Sequence, residues 1–118
     1  MHIYFSGIGG TGIGPLALIA KEAGNKVSGS DKQSSTYTEY LTKQGVDVHI
    51  GQTDDSYINK VNNEEPIEWF VYSSALPLEN PNHPELVFVK NNNIKYSKRD
   101  EFLSKFLINN KLKLLAAA

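Results

Sequence analysis

His2-Ile3-Tyr4-Phe5-Ser6-Gly7-Ile8-Gly9-Gly10-Thr11-Gly12-Ile13-Gly14-Pro15 comes directly after Met1, and Lys26-Val27-Ser28-Gly29-Ser30-Asp31 follows shortly after it. A β-rich apolar run over residues 2–6 ends at glycine and fits a buried strand. Pro15 suits the first turn of a helix, where its missing N–H costs nothing. Ile13, Leu16, Ala17, Ile19, Ala20 and Ala23 recur at helical spacing, and Gly24-Asn25 supplies a helix stop. Residues 26–30 then read as a second strand ending at Asp31. The result is one strand–helix–strand unit in about thirty residues.

The alternation continues downstream. The pattern predicts a helix over 36–44 stopped by Gly45, a strand over 46–50, a weak helix over 54–61 and a solvated loop over 62–66. A strong strand is expected over 67–73, an extended loop through Pro77, Pro81 and Pro84, and a helix over 85–90. A brief strand over 94–96 and a helix over 99–107 come next. Leu112, Leu114 and Leu115 to Ala118 read as one more buried strand. Strands separated by helices pair in parallel through right-handed crossovers. The expected fold is α/β, Rossmann-like and doubly wound, a mainly parallel sheet with helices on both faces. A chain stopping at the carboxyl end of a buried strand stops where binding loops begin, which leads us to expect a portion of a longer protein.

The 118 residues suit a single core, and 40% hydrophobic with 21% charged residues is ordinary for a globular protein. A net charge of −1 with Arg99 as the lone arginine argues against a nucleic-acid partner. Without cysteine, disulfides and thiolate chemistry are excluded. His2, His49 and His83 lack metal-ligand spacing. No apolar run suits a membrane span and no signal peptide is evident, so a cytoplasmic location is expected.

Gly7, Gly9 and Gly12 form G-x-G-x-x-G. The first glycine permits a tight turn, the second leaves room for a phosphate against the backbone, and the third lets helix and strand pack closely. The helix after them offers N–H groups and a positive dipole end to a diphosphate. Asp31 stands where such folds place an acid that contacts a ribose or base, or it is a turn or capping residue. Spacing alone does not separate NAD from a uridine nucleotide. Trp69 and Phe70 are expected in the core, Tyr37 and Tyr40 in helix packing, and Asn80 in a turn before Pro81.

Residues 7–14 followed by Ser28-Gly29-Ser30-Asp31 resemble the N-terminal domain of the Mur ligases. Ser73-Ser74-Ala75, Glu79-Asn80-Pro81, residues 98–103 and Leu114-Leu115-Ala116-Ala117-Ala118 are similar to further segments of that family, in the same order. The resemblance implies a UDP-N-acetylmuramic-acid-binding domain over 1–110, with 111–118 leading into a central ATP-binding domain outside this chain. It implies an ATP- and Mg2+-dependent ligase of peptidoglycan synthesis that joins L-alanine to that nucleotide sugar and folds with its own central and C-terminal domains. The catalytic, ATP and metal groups would lie beyond Ala118, leaving a fragment inactive alone. Transfer of a tripeptide to the same sugar is the related alternative, and a stand-alone NAD-binding regulatory domain is the unrelated one. Carried over by position, Gly7, Gly9, Gly10, Thr11 and Gly12 would face the diphosphate. Ser30 and Asp31 would lie near the uridine, and Ser73, Ser74 and Ala75 would form the facing wall. Arg99 is a candidate for an anionic group, or a surface charge. Tyr4 stands where the family commonly has histidine, and Lys98 stands in place of an arginine.

Overall fold

The structure, a computed structural model, describes residues 1–10 and 12–106. Five strands form one parallel sheet: β1 (His2–Ser6), β2 (Lys26–Asp31), β3 (Asp47–Ile50), β4 (Trp69–Tyr72) and β5 (Tyr96–Lys98), in the order β3-β2-β1-β4-β5. Helices α1 (Gly14–Glu22), α2 (Thr36–Lys43), α3 (Ser56–Glu64), α4 (Ala75–Glu79) and α5 (Pro84–Asn91) link them, and residues 99–106 are helical. The doubly wound parallel sheet expected from the alternation is therefore present.

β1 shows how the sequence builds two faces. Successive side chains of a strand point to opposite sides. Ile3 and Phe5 join a core with Leu16 and Ala17 of α1, Leu41 of α2, and Phe102. Tyr4 joins a second core with Ile58 of α3, Leu76 of α4 and Val89 of α5. β4 repeats the split, with Trp69 and Val71 in the first core and Phe70 and Tyr72 in the second. Trp69 and Phe70 are thus core residues, as expected. β1 and β4 are neighbours, yet β1 continues toward β2 and β4 toward β5. The direction of winding reverses between them, so the crevice lies outside their carboxyl ends.

Several boundaries differ from the sequence reading for one recurring reason. The strand expected from residue 46 begins at Asp47, because the Val46 amide donates to the Leu41 carbonyl at 3.1 Å and Gly45 to Thr42 at 3.0 Å. This pair of bonds, with Gly45 at φ +87°, is a Schellman closure of α2. α5 closes in the same way: Asn93 sits at φ +55°, and the Ile94 amide donates to Val89 at 3.0 Å. Ile94 therefore belongs to a helix cap, and β5 starts at Tyr96. At residue 67 the amide is taken by the Asn62 side chain at 2.8 Å, which delays β4 to Trp69.

α3 runs on to Glu64 through part of the expected loop. α4 occupies the start of the expected proline-rich loop. Pro77 is tolerated there because first-turn amides have no intrahelical acceptor. The strand expected over 111–118 lies outside the described residues.

Candidate functional site

The turn after β1 is tied to the end of β2. The Gly7 and Ile8 amides both donate to the Ser30 carbonyl, at 2.8 and 3.0 Å. Gly7 takes φ +78°, a region open to glycine at little cost. Gly10 donates to the Gly7 carbonyl at 3.0 Å, and Gly14 to Gly10 at 2.8 Å, so the loop winds directly into α1.

Asp31 is tied to this loop by a contact that the spacing does not specify. Its Oδ2 accepts from the Gly9 amide at 2.8 Å, and its Oδ1 from the Lys32 amide at 2.8 Å. The Gly9 and Gly10 amides are thus bonded within the chain, the first by a carboxylate and the second by a carbonyl. Thr11 lies outside the described residues. A Cβ on Gly9 would stand 2.6 Å from Thr38 Cγ2, and one on Gly14 would stand 2.4 Å from the Tyr37 ring. These glycines therefore also make room for α2. Tyr37 packs there as expected, whereas Tyr40, tilted against it at 5.7 Å, is 44% exposed and stays outside the core, contrary to the helix-packing expectation.

Arg99 closes the other side. Its Nε donates to the Gly12 carbonyl at 2.7 Å, and its guanidinium also pairs with Asp100 at 3.1 Å. Ser73, Ser74 and Ala75, at the carboxyl end of β4, share a cavity of about 290 Å³ with Lys98, Arg99, Asp100 and Glu101. Segments far apart in sequence thus meet at the reversal point of the sheet. Asn80 behaves as the turn residue expected, its Oδ1 accepting from the Asn82 amide at 3.1 Å.

Ser30 departs from its expected place. Its hydroxyl is fully buried and donates to Glu85 at 2.7 Å, on the face away from the first core, so only its main chain reaches the loop. Sequence reading did not single out this cluster. Tyr4 donates to Glu85, and Ser6 donates to it at 2.8 Å. Gln52 Nε2 donates to Ser30 at 2.9 Å and to Ser6 at 3.2 Å. His83 Nδ1 accepts from the Glu85 amide at 3.2 Å, leaving Nε2 to donate to Gln52 at 3.3 Å. Burial lowers the His83 pKa, which suits this neutral, one-donor role. Gln52 and His83 also line a cavity of about 350 Å³ whose rim carries a Lys32–Glu79 pair at 3.8 Å. Among the described residues no group of three or more His, Cys, Asp or Glu could hold a metal ion.

Burial pushes the Glu85 carboxyl above its ordinary 4.5, against opposing hydrogen bonds from Tyr4, Ser30 and Ser6. Between 4.5 and the higher folded-state value, the folded chain holds a proton that the unfolded chain has released. The stability contributed by this group is therefore complete below 4.5 and is lost as pH rises through the folded-state value. Urea midpoints from about pH 4 to about pH 7 should show the wild type losing ground, with rising pH, against Glu85→Gln. A difference independent of pH, or of opposite slope, contradicts this.

The family model described as "Mur ligase family, catalytic domain" matches residues 2–111. The UDP-N-acetylmuramate–L-alanine ligase of Symbiobacterium thermophilum is 37% identical over 105 residues, 89% of this chain and 20% of that protein. The solved structure of the UDP-N-acetylmuramate–alanine ligase of Thermotoga maritima is similar at TM-score 0.80 and 25% identity, over 94% of this chain and 24% of that one. The murein peptide ligase of Psychrobacter arcticus is similar at TM-score 0.72 and 27% identity, over 89% of this chain and 20% of that one. The chain spans about a fifth to a quarter of the length of the curated relatives it matches. Since the match from residue 2 to residue 111 takes in every strand of the sheet, this chain belongs to the Mur ligase family.

Proposed function

We propose that residues 1–110 form the UDP-N-acetylmuramic-acid-binding domain of a ligase that joins L-alanine to that nucleotide sugar in peptidoglycan precursor synthesis. The observation carrying this reading is the Arg99 contact with Gly12, which brings the glycine loop and the Ser73–Ala75 wall together at the crevice. Gly7, Gly9, Gly10, Thr11 and Gly12 form the diphosphate side, with Asp31 beside the uridine. Ser73, Ser74, Ala75 and Arg99 form the facing side. Ser30 contributes through its main chain.

Ligand entry exchanges the Asp31 carboxylate for phosphate oxygens at the Gly9 amide and releases the acid toward the nucleoside. A guanidinium close to α1 favours an anion there through charge and paired N–H donors.

The reading carries ATP and Mg2+ with it for the whole enzyme. This chain does not fit them: its sequence has no Gly-Lys-Thr or Gly-Lys-Ser run, and its described residues offer no metal cluster. The 111–118 segment would lead to the central domain that holds them, and amide formation belongs to that domain and the one after it. No helix among the described residues is long and apolar enough to cross a membrane. The proposed role carries a cytoplasmic location.

Calorimetric titration of the chain with UDP-N-acetylmuramic acid should give saturable heat, with NADH as the comparison ligand. No heat at about millimolar nucleotide sugar, which means a binding free energy weaker than about −4 kcal/mol, would end the reading. Saturation by NADH instead would favour a regulatory dinucleotide domain. The likeness to the murein peptide ligase supports a second reading, in which the whole enzyme adds a tripeptide to the same sugar. Assaying the full-length enzyme with L-alanine against the tripeptide separates the two.

A further inference from the structure

We propose that Glu85 is a positioning residue of the glycine loop, acting through Ser6 and Ser30. It touches neither the loop nor the crevice cavity beside Arg99. Glu85 is 1% exposed, and its carboxyl reaches from α5 to the carboxyl ends of two strands that pair Ser6 with Ser30. One oxygen accepts from Ser6 at 2.8 Å and from Ser30 at 2.7 Å, and the other accepts from Ser30 at 2.8 Å and from Tyr4. The same Ser30 receives the Gly7 and Ile8 amides on its carbonyl. The side chain of Ser30 is held from below while its main chain holds the loop above.

A buried ionisable group costs desolvation that an apolar residue of similar volume would not. What the carboxyl adds is chemistry: two acceptor oxygens on one rigid plane gather hydroxyls from both strands at once. An aliphatic side chain could fill the space without fixing either serine. Gln52 donates to the same two hydroxyls from the loop after β3, so the junction is set from α5 and β3 together. By this path the second core determines where the loop amides point.

The consequence for nucleotide-sugar binding rests on the function proposed above, whereas the consequence for the loop does not. Amide hydrogen exchange by NMR on wild type and Glu85→Gln reads the loop directly. In the folded variant the Gly7 and Ile8 amides should exchange about tenfold faster, while Phe5 and Val71 amides change less than about twofold. Affinity for UDP-N-acetylmuramic acid should fall about tenfold in the same variant.

Unchanged loop exchange overturns the proposal, and so does a uniform rise across the sheet, which is general destabilisation. Faster loop exchange with unaltered affinity overturns the link to the ligand. If Glu85→Gln does not fold, Ser30→Ala removes one hydroxyl and keeps the carbonyl. Its loop amides should also exchange faster, and their constancy overturns the proposal equally. Failure of the wild type to bind the sugar nucleotide rejects the function reading and leaves the exchange result to judge Glu85.

Discussion

Gly29→Ala is expected to lower the thermal midpoint by roughly 10 °C, from a loss of about 3 kcal/mol. Gly29 pairs with Phe5 across β1 and β2. A Cβ there would lie 2.4 Å from the Phe5 carbonyl oxygen, 2.7 Å from Ile8 Cδ1 and 3.1 Å from Ile8 Cβ. The nearest collision is with main chain in the middle of the sheet, so no side-chain rotation relieves it. Ile8 in turn is fully buried at the root of the glycine loop. The substitution should therefore pry β2 from β1 or displace the loop, and either path loses core contacts. Differential scanning calorimetry measures it directly, and a midpoint within about 2 °C of wild type would show that the strands yield more easily than packed interiors do.

Gly9→Val should fail twice. From sequence alone this glycine reads as room for a phosphate, and the expectation is weaker binding by a folded domain. The structure adds a stability cost to that expectation. The added Cβ would meet Thr38 Cγ2 at 2.6 Å, Asp31 Oδ2 at 2.9 Å and Ser35 Oγ at 3.1 Å. Ser35 and Thr38 form the reciprocal cap of α2, each side chain accepting the other's amide, at 3.1 and 2.8 Å. A branched side chain there strikes the cap and the acid that takes the Gly9 amide. We expect a stability loss of about 2 kcal/mol together with at least tenfold weaker binding of UDP-N-acetylmuramic acid.

Thr38→Ser separates the two effects, because it deletes the offending methyl and keeps the capping hydroxyl. In that background Gly9→Val should regain part of its denaturant midpoint and none of its affinity. Recovery of both would reduce Gly9 to a packing residue.

The contrast between Gly9 and Glu85 shows where a sequence stops being informative. Every signal that located the glycine loop lies within residues 2–31, where strand period, helix period and turn chemistry act on near neighbours. The partners of Glu85 lie 81, 79 and 55 residues away along the chain, at Tyr4, Ser6 and Ser30. Nothing around Pro84-Glu85-Leu86 marks that side chain as inward, and an acidic residue in a first helical turn ordinarily faces water. The periodicity of β1 did hold a trace of it, since His2 and Ser6 share the face of Tyr4 and all are buried. His2 donates from Nδ1 to the Glu65 carbonyl at 2.7 Å and accepts on Nε2 from Ser28 at 2.6 Å, another pairing no local pattern reveals.

The amino-acid order by itself determined the alternation of strands and helices, the parallel winding and the position of the glycine turn, because these follow from local periodicity, backbone freedom and right-handed crossovers. It placed Val46 and Ile94 in strands, whereas each closes the preceding helix, because an apolar residue after a helix stop has the same local pattern in either role. Only the tertiary structure decided those roles, turned the Ser30 hydroxyl toward Glu85, and set Arg99 on Gly12. Each depends on hydrogen-bond partners that share no stretch of chain and meet only when the sheet is assembled.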